Sequence, residues 1–287
     1  MGASEIAEAQ QVNSEYPQSE KTVMNNVNTK VGITTIEPLL SLVHRIKNKG
    51  GMISLSDLTY IDYLAKFGVG CAHPGGFILT QDILAKENIK QDSKILDVGC
   101  GTGRTAAYLY EQFKTNVVGL EIHPIMLEKA EKRFLSQQLP IQLVAGSVEN
   151  IPFERNMYDF VLSESVLAFV NKPSALAEIY RVLKPGGKLI ANEMTIESKL
   201  SEEEQTKIKQ FYNVDSLLEE EDWEHLLNTA GFCNIEIYKG THDGYAVPEY
   251  NLSPNLELEL FNILSQHGHF LSLYQDILTY RLITCTK

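Results

Sequence analysis

Long apolar runs are missing from this chain: none of its 287 residues lies in a stretch near the ~20 needed to span a bilayer. No basic-then-apolar secretory pattern opens it, and "MGASEI" lacks the Ser or Thr that a myristoylation signal wants at its sixth position. A cytoplasmic location without a membrane partner is therefore expected. Cysteine is sparse. Cys71, Cys100, Cys233 and Cys285 form no C-x-x-C pair, and in a chain this long they are expected as free thiols. His267 and His269 sit two apart without an H-E-x-x-H or a cysteine partner, so no metal site is expected. Positive charge is also short, with 25 Lys and Arg against 37 Asp and Glu for a net charge of −12. Such a surface repels polyanions at long range, which argues against a nucleic-acid partner. The basic stretch "HRIKNKG" at 44–50 is short enough to be a solvated helix end.

What remains is an ordinary globular composition, 44% hydrophobic and 22% charged, in a chain that can bury one sizeable core plus an elaboration. Residues 1–30 are polar and aperiodic and read as a flexible tail. Residues 31–92 read as a helical extension. Leu39, Leu40, Leu42, Val43 and Ile46 form one apolar stripe, and "SLSDLTYIDYLAKFG" opens with Ser or Asp caps. A further helix is expected to start near Gly75.

From residue 93 to the end the rhythm is strand, helix, strand. "KILDVG", "NVVGLE", "IQLVAG", "YDFVLSES" and "GKLIANEM" are short apolar strands, separated by the helical "RTAAYLYEQF", "PIMLEKAEKRFLSQQ" and "KPSALAEIYRVL". That pattern predicts a mostly parallel sheet covered on both faces. Two acidic helices near 201–212 and 220–230 follow, then the paired strands "AGFCNIEIYKG" and "ILTYRLITCTK". Residues 241–275 between those strands are too many for a bare connection; they carry either function or an extra packing helix. There is no internal repeat.

The chemistry gathers at "KILDVGCGTG", residues 94–103, where a strand runs into Gly99, Gly101 and Gly103. Glycine at such spacing marks a backbone that turns sharply or is closely approached. A strand, a glycine loop and a helix N-terminus form a nucleoside-binding arrangement. The spacing G-C-G-T-G brings the third glycine one residue earlier than G-x-G-x-x-G, which excludes a nicotinamide-dependent oxidoreductase. Asp97, just before the loop, repels pyrophosphate and attracts an amine. Glu121 ends the next strand, where a carboxylate accepts two hydrogen bonds from a ribose diol.

The set "ILDVGCGTG", "VVGLEIHP", "GSVENIPF", "YDFVLSESVLAFV" and "RVLKPGGKLI" resembles the class I S-adenosylmethionine-dependent methyltransferases, continuously from 93 to about 195. The resemblance implies an α/β fold: a seven-strand, mostly parallel Rossmann-like sheet with a helical N-terminal lid and an insertion before the last strand. It implies S-adenosylmethionine as cofactor and S-adenosylhomocysteine as product. Residues Gly99, Cys100, Gly101, Thr102 and Gly103 would pass beneath the methionine part, with Asp97 near its ammonium group. Glu121 would hold the ribose, and Ile122 would lie against the adenine. Ser147 stands where the family places an acid on the adenine amine, a departure; its hydroxyl can still accept that hydrogen bond, Glu149 is the alternative, and the backbone of Val148 would meet the ring. Ser163 and Glu164 would face the cleft at the reacting centre.

Methyl transfer from a sulfonium needs alignment and exclusion of water, and a general base only where the nucleophile must lose a proton. Glu164 and His73 are the candidate catalytic residues, with Tyr60 and Tyr63 as further proton acceptors. "HPGG" at 73–76 turns the chain straight into a helix and either presents free N–H groups or simply packs. Tyr60, Tyr63, Phe67, Phe77 and Phe169 are the candidate substrate roof, with plain core as the alternative. With Gly68, Gly70, Gly75 and Gly76 as hinges, residues 57–80 are expected to close over the site. A small-molecule methyl acceptor is the first expectation; protein methylation or a non-catalytic cofactor-binding regulator are the alternatives.

Overall fold

The computed structural model describes residues 58–240 and 248–287. The expected tail, the helix around 36–46, the basic stretch and the first residues of the insertion lie outside them. Strands Lys94–Val98 (β2), Asn116–Glu121 (β3), Gln142–Ala145 (β4), Tyr158–Glu164 (β5), Leu183–Ile196 (β6), Cys233–Tyr238 (β7) and Leu278–Thr286 (β9) form one seven-stranded sheet, ordered β4-β3-β2-β5-β6-β9-β7. β2 to β6 pair in parallel, and β9 runs antiparallel between β6 and β7. The seven-strand expectation is met. The order reverses beside β2, and there the crevice at the carboxyl ends of the strands is where open sheets bind ligands.

The central strands are apolar runs buried on both faces, while the edge strands β4 and β7 are exposed or half-buried. On one face Leu96, Val98, Val161 and Leu189 pack under helices Lys172–Val182 (α5) and Glu220–Ala230 (α7), around the fully buried Trp223. On the other, Ile95, Leu162 and Ile190 pack under Gly76–Leu84 (α2), Arg104–Phe113 (α3) and Pro124–Ser136 (α4). Strand side chains alternate, so the next residues outward on this second face are Asp97, Glu164 and Asn192. Three adjacent strands thus end in polar residues on one face above an apolar floor, Glu164 level with Asn192 and Asp97 one step lower, level with Leu162.

A third cluster lies beyond the carboxyl ends of β5 and β6, against Ala168 and Ile196. Tyr60–Phe67 (α1), Glu202–Tyr212 (α6) and Leu258–Leu273 (α8) pack Tyr60, Tyr63, Phe67, Ile208, Tyr212, Leu260 and Phe261 together. α1 is not capped by the Ser and Asp of "SLSD". Its cap is Thr59, whose hydroxyl accepts from the Asp62 N–H while the Asp62 carboxylate accepts from the Thr59 N–H. That reciprocal pair satisfies two end groups at once. α2 starts after Gly75, as expected. The insertion supplies α8, its packing-helix reading, and also Glu249–Tyr250 (β8), which pairs with Val69–Gly70 (β1) as a separate ribbon.

Candidate functional site

All three loop glycines hold positive φ, at 63°, 54° and 75°, for different reasons. A Cβ on Gly99 would lie 2.4 Å from the Val166 side chain, and one on Gly103 would lie 2.6 Å from Phe134. Those two are small so that the loop can pack. A Cβ on Gly101 would meet nothing closer than 4.0 Å. The space beside it is a cradle that a side chain would fill.

Two carboxylates face this cradle. Glu121 Oε2 accepts from the Gly101 N–H, and its Oε1 accepts from the N–H groups of Ile122 and His123, all at 2.8 Å. Its orientation is fixed by the backbone, and Ile122 beside it is 69% exposed, an apolar surface open to a planar ring. Asp97 is 2% exposed, and its Oδ2 has no hydrogen-bond partner. Burial pushes its carboxyl well above the ordinary range, helped by the Glu164 and Glu121 charges. A buried acid with an orphaned oxygen and two acidic neighbours fits a cationic amine, as the class of cofactor implied above would bring.

The polar residues continue along a hydrogen-bonded chain. Glu164 Oε1 accepts from the Thr80 hydroxyl at 2.5 Å and Oε2 from the Thr105 hydroxyl at 2.8 Å. His73 Nε2 lies 3.2 Å from Thr80 Oγ1 and 3.3 Å from Glu164 Oε1. His73 Nδ1 lies 3.1 Å from Asn192 Nδ2, which also donates to the Pro74 carbonyl at 2.9 Å. "HPGG" therefore locks onto the sheet through Asn192. Both catalytic candidates meet, and both are engaged on all sides. Thr80, Thr105 and Asn192 escaped sequence reasoning; the one signal was polar residues at positions where the period demands apolar ones.

Ser163 is corrected. It does not face the cleft: alternation turns it to the opposite face, fully buried, where it donates to Glu193 Oε1 at 2.8 Å. Glu193 also accepts from the N–H groups of Val166, Leu167 and Ala168, capping the turn that packs on Gly99. Burial pushes Glu193 up to about 7 despite these donors. Its folded value lies above its unfolded one, so its contribution to stability is full in acid and is lost as pH rises through about 7. Glu193→Gln keeps the three bonds to Oε1, so its melting temperature should fall less than the wild type's between pH 6 and 8.5. Differential scanning calorimetry across that range checks it; parallel curves would refute the reading.

The other expected contacts divide. Val148 is buried in the first core. Ser147 Oγ accepts from the Glu149 N–H at 3.1 Å, while Glu149 is drawn to the Asn171 N–H, at the cap of α5, so it is not a ready substitute for the missing acid. Cys100 is buried against Gly119, and its thiol is pushed well up by burial. The Thr102 hydroxyl is buried without a partner, and its carbonyl accepts from Arg133 Nε at 2.8 Å. Arg133 and Arg104 both reach Glu249, which ties the β8 ribbon to the glycine loop.

Tyr60, Tyr63, Phe67 and Phe169 do come together, with ring centroids 5.8 Å apart for Tyr60–Tyr63, 4.8 Å for Tyr63–Phe67 and 6.3 Å for Tyr60–Phe169. Phe77 is corrected: it packs on Tyr108 and under the Arg104 guanidinium, away from that group. Burial pushes the phenols of Tyr60 and Tyr63 upward, which makes them poor proton acceptors at neutral pH. Among the described residues no helix is long and apolar enough to cross a membrane.

A methyltransferase-domain family model matches residues 96–191, the span that holds β2 to β6 and the cradle. The uncharacterized methyltransferase YodH of Bacillus subtilis (strain 168) is 36% identical over 232 residues, covering 79% of this chain and 99% of that protein. Phosphoethanolamine N-methyltransferase 1 of Zea mays is 32% identical over 172 residues, 59% of this chain but 34% of that protein. Among solved structures, the Haemonchus contortus phosphoethanolamine N-methyltransferase 2 with phosphomonomethylethanolamine and S-adenosylhomocysteine superposes with a TM-score of 0.66 at 21% identity, covering 79% of this chain and 57% of that one. The chain thus spans a third to just over half of these last two proteins, and the second likeness speaks for the fold alone. Taken with the seven-stranded order, the glycine cradle and a relative matched over its whole length, these findings show that the chain belongs to the class I S-adenosylmethionine-dependent methyltransferases.

Proposed function

We propose that this enzyme methylates a nucleophile of a small molecule, and that the crevice between Asp97 and Glu121 holds its cofactor. The observations that carry the placement are the orphaned, buried Asp97 Oδ2 and the open space beside Gly101. Asp97 receives the ammonium group, Gly99 to Gly103 pass beneath the methionine part, Glu121 takes the ribose hydroxyls, and Ile122, Ser147 and Val148 border the adenine. S-adenosylmethionine supplies a methyl group already activated on a sulfonium. The chain's own task is then to align the acceptor and exclude water. Glu164, with three donors in reach, lines the reacting centre as an orienting carboxylate, and His73 serves as its hydrogen-bonding partner rather than as a free base. Residues 58–80, with the aromatic group around Tyr60, form the lid.

A small acceptor is supported by the Zea mays relative, whose name gives phosphoethanolamine as its substrate. The net charge of −12 disfavours a polyanionic one. Labelled cofactor incubated with the enzyme, a metabolite extract and a protein extract tests the reading. Label is expected in the small-molecule fraction; label confined to protein would replace the proposal with protein methylation.

A further inference from the structure

The insertion completes the end of α1. A helix leaves its last carbonyls without partners. Here those of Phe67 and Gly68 accept from the Asn251 N–H at 3.1 Å, and that of Lys66 accepts from the Ser253 N–H at 2.8 Å. The Lys66 ammonium pairs with Glu257. A Cβ on Gly68 would strike the Asn251 carbonyl, so the two segments touch backbone to backbone. With the β1–β8 pairing, α1, β1 and residues 249–253 form one body. That body meets the cofactor loop across a polar seam. Lys129 on α4 donates to the Asn251 carbonyl, and Arg104 on α3 and Arg133 on α4 share the Glu249 carboxylate.

The two arginines do different work. Arg104 reaches Glu249 Oε2 at 3.4 Å and stacks on Phe77. Arg133 donates through Nη2 to Glu249 Oε1 and through Nε to the Thr102 carbonyl, both at 2.8 Å. A guanidinium is planar and rigid, so a bond at one nitrogen fixes where the other points. Thr102 stands between Gly101 and Gly103, both at positive φ. Glu121 holds the Gly101 N–H and Arg133 holds the next carbonyl, so the cradle is fixed from two elements. We propose that Glu249 is a positioning residue for cofactor binding: it aims Arg133 at the Thr102 carbonyl, and so makes the shape of the glycine cradle depend on the insertion being clasped to α1. This rests on the cofactor placement proposed above. A loop whose backbone is set before the ligand arrives loses less affinity to ordering.

The test is Glu249→Ala in the full-length protein, since this side chain is 37% exposed and its loss opens no core. Calorimetry with S-adenosylmethionine should show about a tenfold loss of affinity, the size expected for one link of a coupled network. That loss should vanish in an Arg133→Met background and persist in Arg104→Met, because Arg133, not Arg104, is bonded to Thr102. Amide exchange of the ligand-free variant should rise together at residues 66–70 and 99–103. A plain tether would loosen residues 66–70 alone. Unchanged affinity, a loss that survives Arg133→Met or disappears in Arg104→Met, or faster exchange confined to 66–70 overturns the proposal and leaves Glu249 a tether of the insertion. A wild type that does not bind S-adenosylmethionine overturns the cofactor placement instead, and exchange at 99–103 still decides whether Glu249 sets the loop.

Discussion

Gly101→Val is expected to lower affinity for S-adenosylmethionine about a hundredfold or more, a loss of roughly 3 kcal/mol, with only a modest loss of stability. Neighbouring substitutions in the same loop should behave in the opposite way. At Gly99 and Gly103 even a methyl group enters the side chains of Val166 and Phe134, so alanine there overpacks the core, at about 1–3 kcal/mol beyond the cost of its positive φ. At Gly101 a Cβ meets nothing closer than 4.0 Å, so the first atom of a side chain there enters the cradle and not the packed core. Valine still takes a φ of 54°, which costs an L-residue about 1–2 kcal/mol. For a domain of this size that is a fall of a few degrees in melting temperature. Calorimetric titration beside thermal melts of the three variants separates these effects. Unchanged affinity in Gly101→Val would remove the cradle from the cofactor site.

The loop was legible because its information is local. A strand, three glycines and a helix occupy consecutive residues, and the acid Glu121 follows at a fixed distance in sequence. The parallel sheet was legible for the same reason, since each short apolar run is its own signal. The partners of His73 were not. Asn192 lies 119 residues away and meets His73 only because β6 pairs with β5 and "HPGG" crosses their ends. The placing of Ser163 failed on a single step of strand period: Glu164 faces the crevice, so its neighbour cannot. Phe77 failed on helix phase, since at the second residue of α2 the ring already points toward Tyr108. The ribbon between β1 and β8 has two residues per strand, too short for any alternation to reveal, and it depends on Glu249 meeting Arg104 and Arg133 from other elements.

Asp97→Asn should lose the cofactor and, in its absence, gain stability. Burial comes first among the causes that raise the Asp97 carboxyl, followed by the charges of Glu164 and Glu121. A folded value above the unfolded one means that the stability is full below the ordinary 3.8 and is lost as pH rises through the folded value. Asparagine keeps the shape and removes the charge, so the ligand-free variant should melt at or above the wild type, by a margin that widens toward alkaline pH. The cost falls on binding. An ammonium group meeting a neutral amide loses a charge-assisted hydrogen bond in a dry site, and affinity should fall by about a hundredfold. A third consequence concerns protons: burial shifts the Asp97 carboxyl toward its protonated form, and a cation taking its place beside it shifts it back, so binding releases protons over the range in which Asp97 ionises. Cofactor titrations in two buffers of different ionisation enthalpy should therefore show proton release by the wild type and less by Asp97→Asn. Wild-type affinity should rise with pH across the range in which Asp97 ionises. If Asp97→Asn binds as tightly as the wild type, the orphaned oxygen is not the ammonium site, and the cation must be held by Glu164 or Glu121 instead.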